Sequence, residues 1–346
     1  MGLNIREIIP KKEIETDLLR NKTICVDAFN VLYQFLSSIR QMDGTPLKDN
    51  NGEITSHLSG IFYRNISLLS KGIKMIYVFD GIAPEQKIKT RWNREGIKRE
   101  ALEKYEKAKS EEDLSSMRRY SQQLSRLNDK MIEESKELLE AMGIAVVQAP
   151  GEGEAEAAYL CKINDEIFAS ASQDYDSLLF GAPRLIQNLT LASKRKTFSG
   201  YVEVKIQLIE LEKVLNYLEI DLDQLICLGI LIGTDYNPKG IPGIGQKRAL
   251  EIVKRHKSPV LIFKSVEEQI MSLPEEDRFE WKEIFRLFHQ ANVENIPFEF
   301  KKINEDKIKE ILVKRHDFSE ERVEKQLEKL RKFQEESKQK GLEKWF

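Results

Sequence analysis

Four short apolar runs, Thr23–Val26, Met75–Phe79, Ile144–Gln148 and Ile167–Ser170, each lead straight into acidic residues. All four are rich in Ile, Val or aromatics, and helical sequence separates each from the next. That alternation is the signature of buried parallel strands joined by crossover helices, so the expected fold is α/β: a central, mostly parallel twisted sheet with helices on both faces. The runs end in Asp27, in Asp80-Gly81, in Pro150-Gly151-Glu152-Gly153-Glu154 and in Gln173-Asp174-Tyr175-Asp176. In an open parallel sheet the ligand crevice lies beyond the carboxyl ends of the strands. Any one of these acids is as readily a helix cap or a solvated loop residue. Gathered at one end of one sheet, they mark a site.

A seventh acid, Asp235, follows the apolar run Ile226–Ile232. Seven hard oxygen donors suit Mg²⁺ or Mn²⁺, and the lack of matching His and Cys argues against zinc. A pair of such ions about 4 Å apart would activate a water and stabilise the leaving oxygen of a phosphodiester. Glu152 and Glu154 would diverge on a helix, so at least one belongs in the Gly-flanked turn. Cys25, Cys161 and Cys227 sit singly in apolar stretches, which fits a reducing interior and no disulfide framework.

With 55 Lys+Arg against 57 Asp+Glu the chain is nearly neutral, yet the charges are unevenly spread. The stretch between residues 79 and 144 is too long for one crossover helix. It opens with Lys87, Lys89, Arg91, Arg94, Lys98 and Arg99, interrupted only by Glu95 among the acids of 87–99. Lys87, Arg91, Arg94 and Lys98 share a helix face, which is phosphate-facing if it fronts the acids and an ordinary solvated face if it does not. Further on, Leu114, Met117, Tyr120, Leu124, Leu127 and Met131 recur at steps of three and four, predicting a helical stripe. The insertion therefore reads as two or more helices projecting from the sheet. After residue 220 the chain is helical, punctuated by the turn Gly240–Gly245 before a helix carrying Lys247 and Arg248. Such a turn either offers backbone N–H groups to a phosphate or merely connects helices. No apolar run approaches the roughly 20 residues of a membrane-spanning helix, and the N-terminus lacks a signal-peptide core, so no membrane partner and an intracellular location are expected.

These residues together resemble the flap endonucleases, structure-specific 5′ nucleases of replication and repair, in their archaeal and eukaryotic form. The matching segments are VDAFNVLYQFL at 26–36, TSHLSGIFYR at 55–64, YVFDGIAPEQK at 77–87, APGEGEAEAAYL at 149–160, SQDYDSLLFG at 172–181 and IGTDYNPKGIPGIGQKRA at 232–249. The resemblance implies a PIN-like nuclease fold with a helical arch insertion and a C-terminal helix–turn–helix region. It implies one nuclease domain over 1–330, comprising an N-terminal region 1–84, the arch 85–135, an internal region 136–258 with the helix–turn–helix, and C-terminal helices 259–330. A flexible tail with a sliding-clamp motif would occupy 331–346.

The same resemblance assigns roles. Asp80, Glu152, Glu154 and Asp174 match ligands of a first metal, and Asp27, Asp176 and Asp235 the remaining ligands. Two Mg²⁺ are implied, with Mn²⁺ as a substitute. Lys87 and Arg94 match the basic pair at the base of the arch that contacts the scissile phosphate, and Asp80 and Asp176 stand with them as catalytic. Tyr33 matches the aromatic on which the adjacent base stacks, and Gly2 would lie near the DNA. Glu53 and Thr55 fall in the region of the 3′-flap pocket, where Asn50 and Asn51 replace acids of some relatives. Arg64, Arg91, Lys98, Gly243, Gly245, Lys247 and Arg248 are further DNA contacts, with K⁺ at the helix–turn–helix. Gln339, Leu342, Trp345 and Phe346 fit the box by which replication proteins bind a sliding clamp. The implied activity is cleavage of 5′-flap DNA near the junction, with 5′–3′ exonuclease activity, by a monomer located with the DNA. The competing readings are a PIN-like ribonuclease and a non-catalytic, clamp-associated junction scaffold.

Overall fold

The computed structural model describes residues 3–41, 43–82, 84, 87–111, 113–191, 194–197 and 200–342, with the side chains of 88–95, 97, 114, 118, 194–197, 200–202 and 336–342 outside that description. The strands are β1 (Lys12–Ile14), β2 (Thr23–Asp27), β3 (Lys74–Phe79), β4 (Ala145–Gln148), β5 (Ile167–Ala171), β6 (Arg184–Gln187), β7 (Lys194–Thr197), β8 (Gly200–Glu203) and β9 (Ile206–Glu210). Seven of them form one sheet in the order β1-β9-β6-β5-β2-β3-β4, while β7 and β8 pair as a separate hairpin. The four apolar runs are β2 to β5, and they lie parallel with β6 beside them. An antiparallel edge of β9 and β1 completes the sheet. Parallel register fixes the site. Asp27 stands opposite Val78, and Phe79 opposite Gln148, so the acid-bearing strand ends emerge along one rim.

Helices cover both faces. On one face lie α1 (Ala28–Ser38), α2 (Ser56–Leu69) and, after the helices α3 (Ile88–Ser110) and α4 (Leu114–Gln123) of the insertion, α5 (Asp129–Ala141). Leu32, Phe35, Leu58, Phe62 and Leu138 pack there against Ile24, Val26, Met75 and Tyr77. The opposite face is covered by α6 (Gly153–Ile163), whose Ala157, Leu160 and Cys161 meet Cys25, Ile76 and Val78. Successive strand residues thus alternate between the two cores, as the period of a pleated strand requires. Burying side chains of this size removes about 1.5–3 kcal/mol each of apolar exposure.

Next come the short α7 (Asp176–Leu179), α8 (Leu211–Leu218) and α9 (Leu222–Ile232). Beyond them are α10 (Gln246–His256), α11 (Pro259–Lys264), α12 (Glu267–Met271) and α13 (Trp281–His289). Together with the N-terminal Leu3, Ile5, Ile8 and Ile9, several of these helices form a second core against β6 and β9. The chain then returns through α14 (Glu305–Lys309), a π-helical turn Glu310–Arg315 and α15 (Glu320–Leu342) to the first core, where Ile308, Leu312, Val323 and Leu327 are buried.

Two expectations are corrected. The stripe from Leu114 to Met131 is two helices, because α4 stops at Gln123 and Asn128 caps α5 by accepting from the Met131 N–H. Leu138, Leu139 and Ala141 then bury α5 in the main core, so the helix belongs to the sheet layer, although the arch was expected to extend to 135. The segment from 331, expected to be a flexible tail, continues α15 as helix to Leu342. Its register follows from Val323, Leu327 and Leu330, which anchor the same helix to the core.

Candidate active site

Local folding delivers the acids to the rim. Asp27 ends β2 and caps α1, its Oδ1 accepting from the Asn30 N–H at 3.0 Å, so the capping and site readings of this residue coincide. Asp80 follows β3, and its Oδ1 accepts from the Gly153 N–H at 2.7 Å. A Cβ at 153 would stand 2.8 Å from Asp80 Oδ1 and 3.0 Å from the Val78 carbonyl, so glycine leaves Asp80 in place where a larger residue would displace its carboxylate. Glu152 occupies the N-cap position of α6 without a side-chain capping bond, and Glu154 lies in the first turn. One of the pair thus sits in the Gly-flanked turn, as helical divergence requires. Glu154 Oε1 accepts from the Ser177 N–H and hydroxyl at 3.0 and 2.7 Å. Asp174 Oδ2 accepts from Asn30 Nδ2 at 3.1 Å, and Asp176, the first residue of α7, accepts from the Leu3 N–H at 3.2 Å.

The carboxylates feel one another. Burial, then the charges of Asp80 and Asp174, push the Asp27 carboxyl up to about 7. Burial together with Asp235 and Asp174 pushes Asp176 up to about 8. Glu154 is raised well above the usual range by burial and by Asp176, Asp174 and Asp27, against the hydrogen bond from Ser177. This is the electrostatic state of an acid cluster lacking enough positive charge.

One cation is supplied by the chain. Lys87, the N-cap residue of α3, places Nζ 2.7 Å from Glu152 Oε1 and 3.3 Å from Asp235 Oδ2. Burial alone would lower its pKa, but Glu152 and Asp235 more than reverse this and raise it. The first base of the predicted stripe is therefore folded into the acids and not merely facing them. Among the described residues, no group of three or more His, Cys, Asp or Glu side chains is arranged to hold a metal ion as it stands. The donor set is nonetheless all oxygen, buried or half-buried, and short of positive charge, which fits a hard divalent cation in chemical type.

The other predicted residues fall into separate places. Tyr33 is exposed on α1, one turn beyond Asn30. Thr55 is buried at the start of α2, Glu53 pairs with Lys130 at 3.3 Å, and Arg64 is half-buried on α2, where burial lowers its pKa. Lys98 lines a recess of about 400 Å³ with Arg99 and Leu102 of α3 and with Leu124 and Arg126 just after α4. Gly243 takes the left-handed φ of +80° and Gly245 is the N-cap of α10, with Lys247 and Arg248 exposed beyond it. The side chains of Arg91, Arg94, Gln339 and Leu342 lie outside the described set, and Gly2, Trp345 and Phe346 lie outside the described residues.

Sequence reasoning missed several partners. Asn30 ties Asp27 to Asp174, and the Tyr236 hydroxyl donates to Glu152 Oε2. Burial and Glu152 raise the Tyr236 phenol strongly. Asn30 lies three residues after Asp27, the spacing of a cap partner, and Tyr236 adjoins Asp235; both signals were available. The N-terminal segment was also informative: the Leu3 N–H donates to Asp176 while the Glu7 N–H donates to Gln246 Oε1 at the start of α10 at 3.0 Å, linking the site to α10.

Two family models match the chain, the XPG N-terminal domain over residues 4–101 and the XPG I-region over 143–235. Between them they contain all seven carboxylates and Lys87. "Flap endonuclease 1" of Hyperthermus butylicus is 50% identical over 328 residues, covering 92% of this chain and 91% of that protein. The solved flap endonuclease-1 from Methanococcus jannaschii is 40% identical, covers 96% of this chain and 98% of its own, and superposes with a TM-score of 0.74. The catalytic core of Rad2 in complex with DNA substrate is 21% identical over 92% of this chain with a TM-score of 0.63, a likeness of fold alone. With half its residues identical across nine-tenths of its length and the same fold beneath them, the chain belongs to the flap endonuclease family of DNA-cleaving nucleases.

Proposed function

We propose that this chain is a structure-specific 5′ flap endonuclease, with 5′–3′ exonuclease activity, acting in Okazaki fragment maturation and DNA repair. One observation carries the reading beyond family membership: a base at the start of α3, Lys87, is half-buried in contact with carboxylates from the turn after β4 and the loop after α9, Glu152 and Asp235. The arch and the acid cluster are thereby one device. Asp80, Glu152, Glu154 and Asp174 would hold a first divalent cation, with Asp27, Asp176 and Asp235 holding a second, directly or through water. Bound there as Mg²⁺ or Mn²⁺, the ions supply an activated water and neutralise charge on the scissile phosphate.

The chain's own groups do the rest. Lys87 leaves the carboxylates to face a phosphate oxygen, where an ammonium favours the charge that builds in the transition state. Arg94, two turns along α3, is the second phosphate partner. Asn30, Ser177 and the Gly153 N–H hold Asp174, Glu154 and Asp80 by hydrogen bonds, which restricts the directions their oxygens can take. Tyr33 offers a stacking face to the base beside the cut. The exposed Gly243–Arg248 turn, with Lys247 and Arg248, would grip duplex phosphates, K⁺ included, and Gln339, Leu342, Trp345 and Phe346 would dock on a sliding clamp. No described helix is long and apolar enough to cross a membrane. The test is cleavage of a labelled double-flap duplex against single strand and blunt duplex, with Mg²⁺ and with chelator. Metal-dependent incision confined to the junction is expected; equal cutting of all three, or of RNA alone, overturns the reading.

A further inference from the structure

Away from the active site, His316 is almost wholly enclosed between two acids. Its Nδ1 lies 2.8 Å from Asp49 Oδ2 and its Nε2 lies 3.2 Å from Glu134 Oε1, with the His316 and Asp49 side chains only 3% and 1% exposed. A neutral imidazole has one N–H, so both contacts are attractive together only in the doubly protonated ring. The third neighbour, His57 on α2, is buried with both ring nitrogens unpartnered. Burial and the charge of His316 push it down to about 3, so it stays neutral and does not compete for the acids.

Asp49 belongs to the hairpin that runs from Leu47 to Ile54. Its Oδ1 accepts from the Asn51 and Glu53 N–H groups at 2.9 Å each, and one bridge, Lys48 to Ile54, joins the two arms. Asp317, held in the left-handed region at φ +56°, accepts from the Asn50 N–H at 3.0 Å. Adjacent residues at the end of the π-helical turn thus grip the hairpin twice. A two-stranded hairpin of this size has little stability of its own, so its position is set by what holds it. It carries Glu53 and leads directly into Thr55.

We propose that His316 is a positioning residue for 3′-flap recognition: bridging Asp49 and Glu134, it fixes the Leu47–Ile54 hairpin against α5 and thereby sets the geometry of Glu53 and Thr55. The proposal rests on the assignment of those two residues to the 3′-flap pocket, and the test separates the two ideas. In the full chain, His316→Gln keeps the volume and a single donor, while His316→Ala removes both; thermal melts confirm that each variant is folded. Hydrogen exchange of the Asn51 and Glu53 amides in the free protein reads the latch and is expected to accelerate by roughly tenfold in His316→Gln. Cleavage kinetics then compare a 5′ flap with and without one unpaired 3′ nucleotide. The advantage given by that nucleotide should fall by roughly tenfold, through KM, while kcat on the plain 5′ flap is unchanged. Unaltered amide exchange in a folded variant overturns the latch. Accelerated exchange with an intact preference overturns its role in specificity. A wild-type protein indifferent to the 3′ nucleotide overturns the pocket assignment and, with it, that role.

Discussion

Asp176→Asn should stabilise the protein while destroying its activity. The Asp176 carboxyl is pushed up to about 8, by burial first and then by Asp235 and Asp174. An unfolded aspartate titrates near 3.9, so the folded chain resists ionising this group across about 4 pH units. At or below pH 4 neither state pays a penalty; as pH rises the unfolded chain ionises freely while the folded one does not, and stability falls until about pH 8. At about 1.36 kcal/mol per unit, the cost at pH 8 without metal approaches roughly 5 kcal/mol. An asparagine carries no charge, and its amide oxygen can still accept from Leu3 N–H. Allowing about 2 kcal/mol for the amide's own desolvation, a net gain of about 3 kcal/mol remains. Urea unfolding in chelator at pH 8 and pH 4 measures this: the variant should be more stable than wild type at pH 8, less stable by about 2 kcal/mol at pH 4 where only the amide's desolvation remains, and unable to cut flap DNA. Added Mg²⁺ should stabilise wild type more than the variant. A variant less stable than wild type at pH 8, or a gain identical at both pH values, would refute the argument from uncompensated charge.

Three further outcomes are expected. Lys87→Ala should slow single-turnover cleavage by orders of magnitude with little change in Kd; a rise in Kd alone, with an unchanged bound rate, makes Lys87 a positioning contact. Gly153→Ala forces a Cβ to 2.8 Å from Asp80 Oδ1, so cleavage should drop about a hundredfold with about 1–3 kcal/mol of stability lost, and wild-type rates would show that Asp80 tolerates displacement. Trp345→Ala combined with Phe346→Ala should weaken clamp affinity, measured by calorimetry, by about 2 kcal/mol or more and leave basal flap cleavage intact.

The sheet and its acids were legible because each half of the signal is local. An apolar run of four to six residues declares a buried strand, and the acid that follows declares its carboxyl end. Lys87 was legible as a basic residue but not as a buried one, since its partners Glu152 and Asp235 lie far along the chain and share no periodicity with it. The edge strand β1 is only three residues long, and sequence reasoning missed its neighbour β9 although residues 202–208 alternate between apolar and polar; the two are defined by pairing with each other and, for β9, with β6. The stripe through Leu124 misled because its three-and-four spacing continues across a turn, whereas the Asn128 cap that breaks it is a single residue. The His316 latch joins residues 267 positions apart, and nothing short of the folded chain reveals it.

The return of the C-terminus to the first core bears on how the protein is made. Val323, Leu327 and Leu330 of α15, with Ile308 and Leu312 before it, close the same apolar cluster that Phe35, Leu58 and Phe62 begin. A ribosome that has released the whole sheet has therefore not yet supplied the cover for α2. During synthesis that nascent surface stays wet and sticky until the last helices emerge. Closing that cluster joins the two ends of the chain, a non-local step that slows completion of the fold and lengthens exposure to aggregation. A nascent chain halted near residue 300 would hold all seven carboxylates and still lack the residues that close the first core.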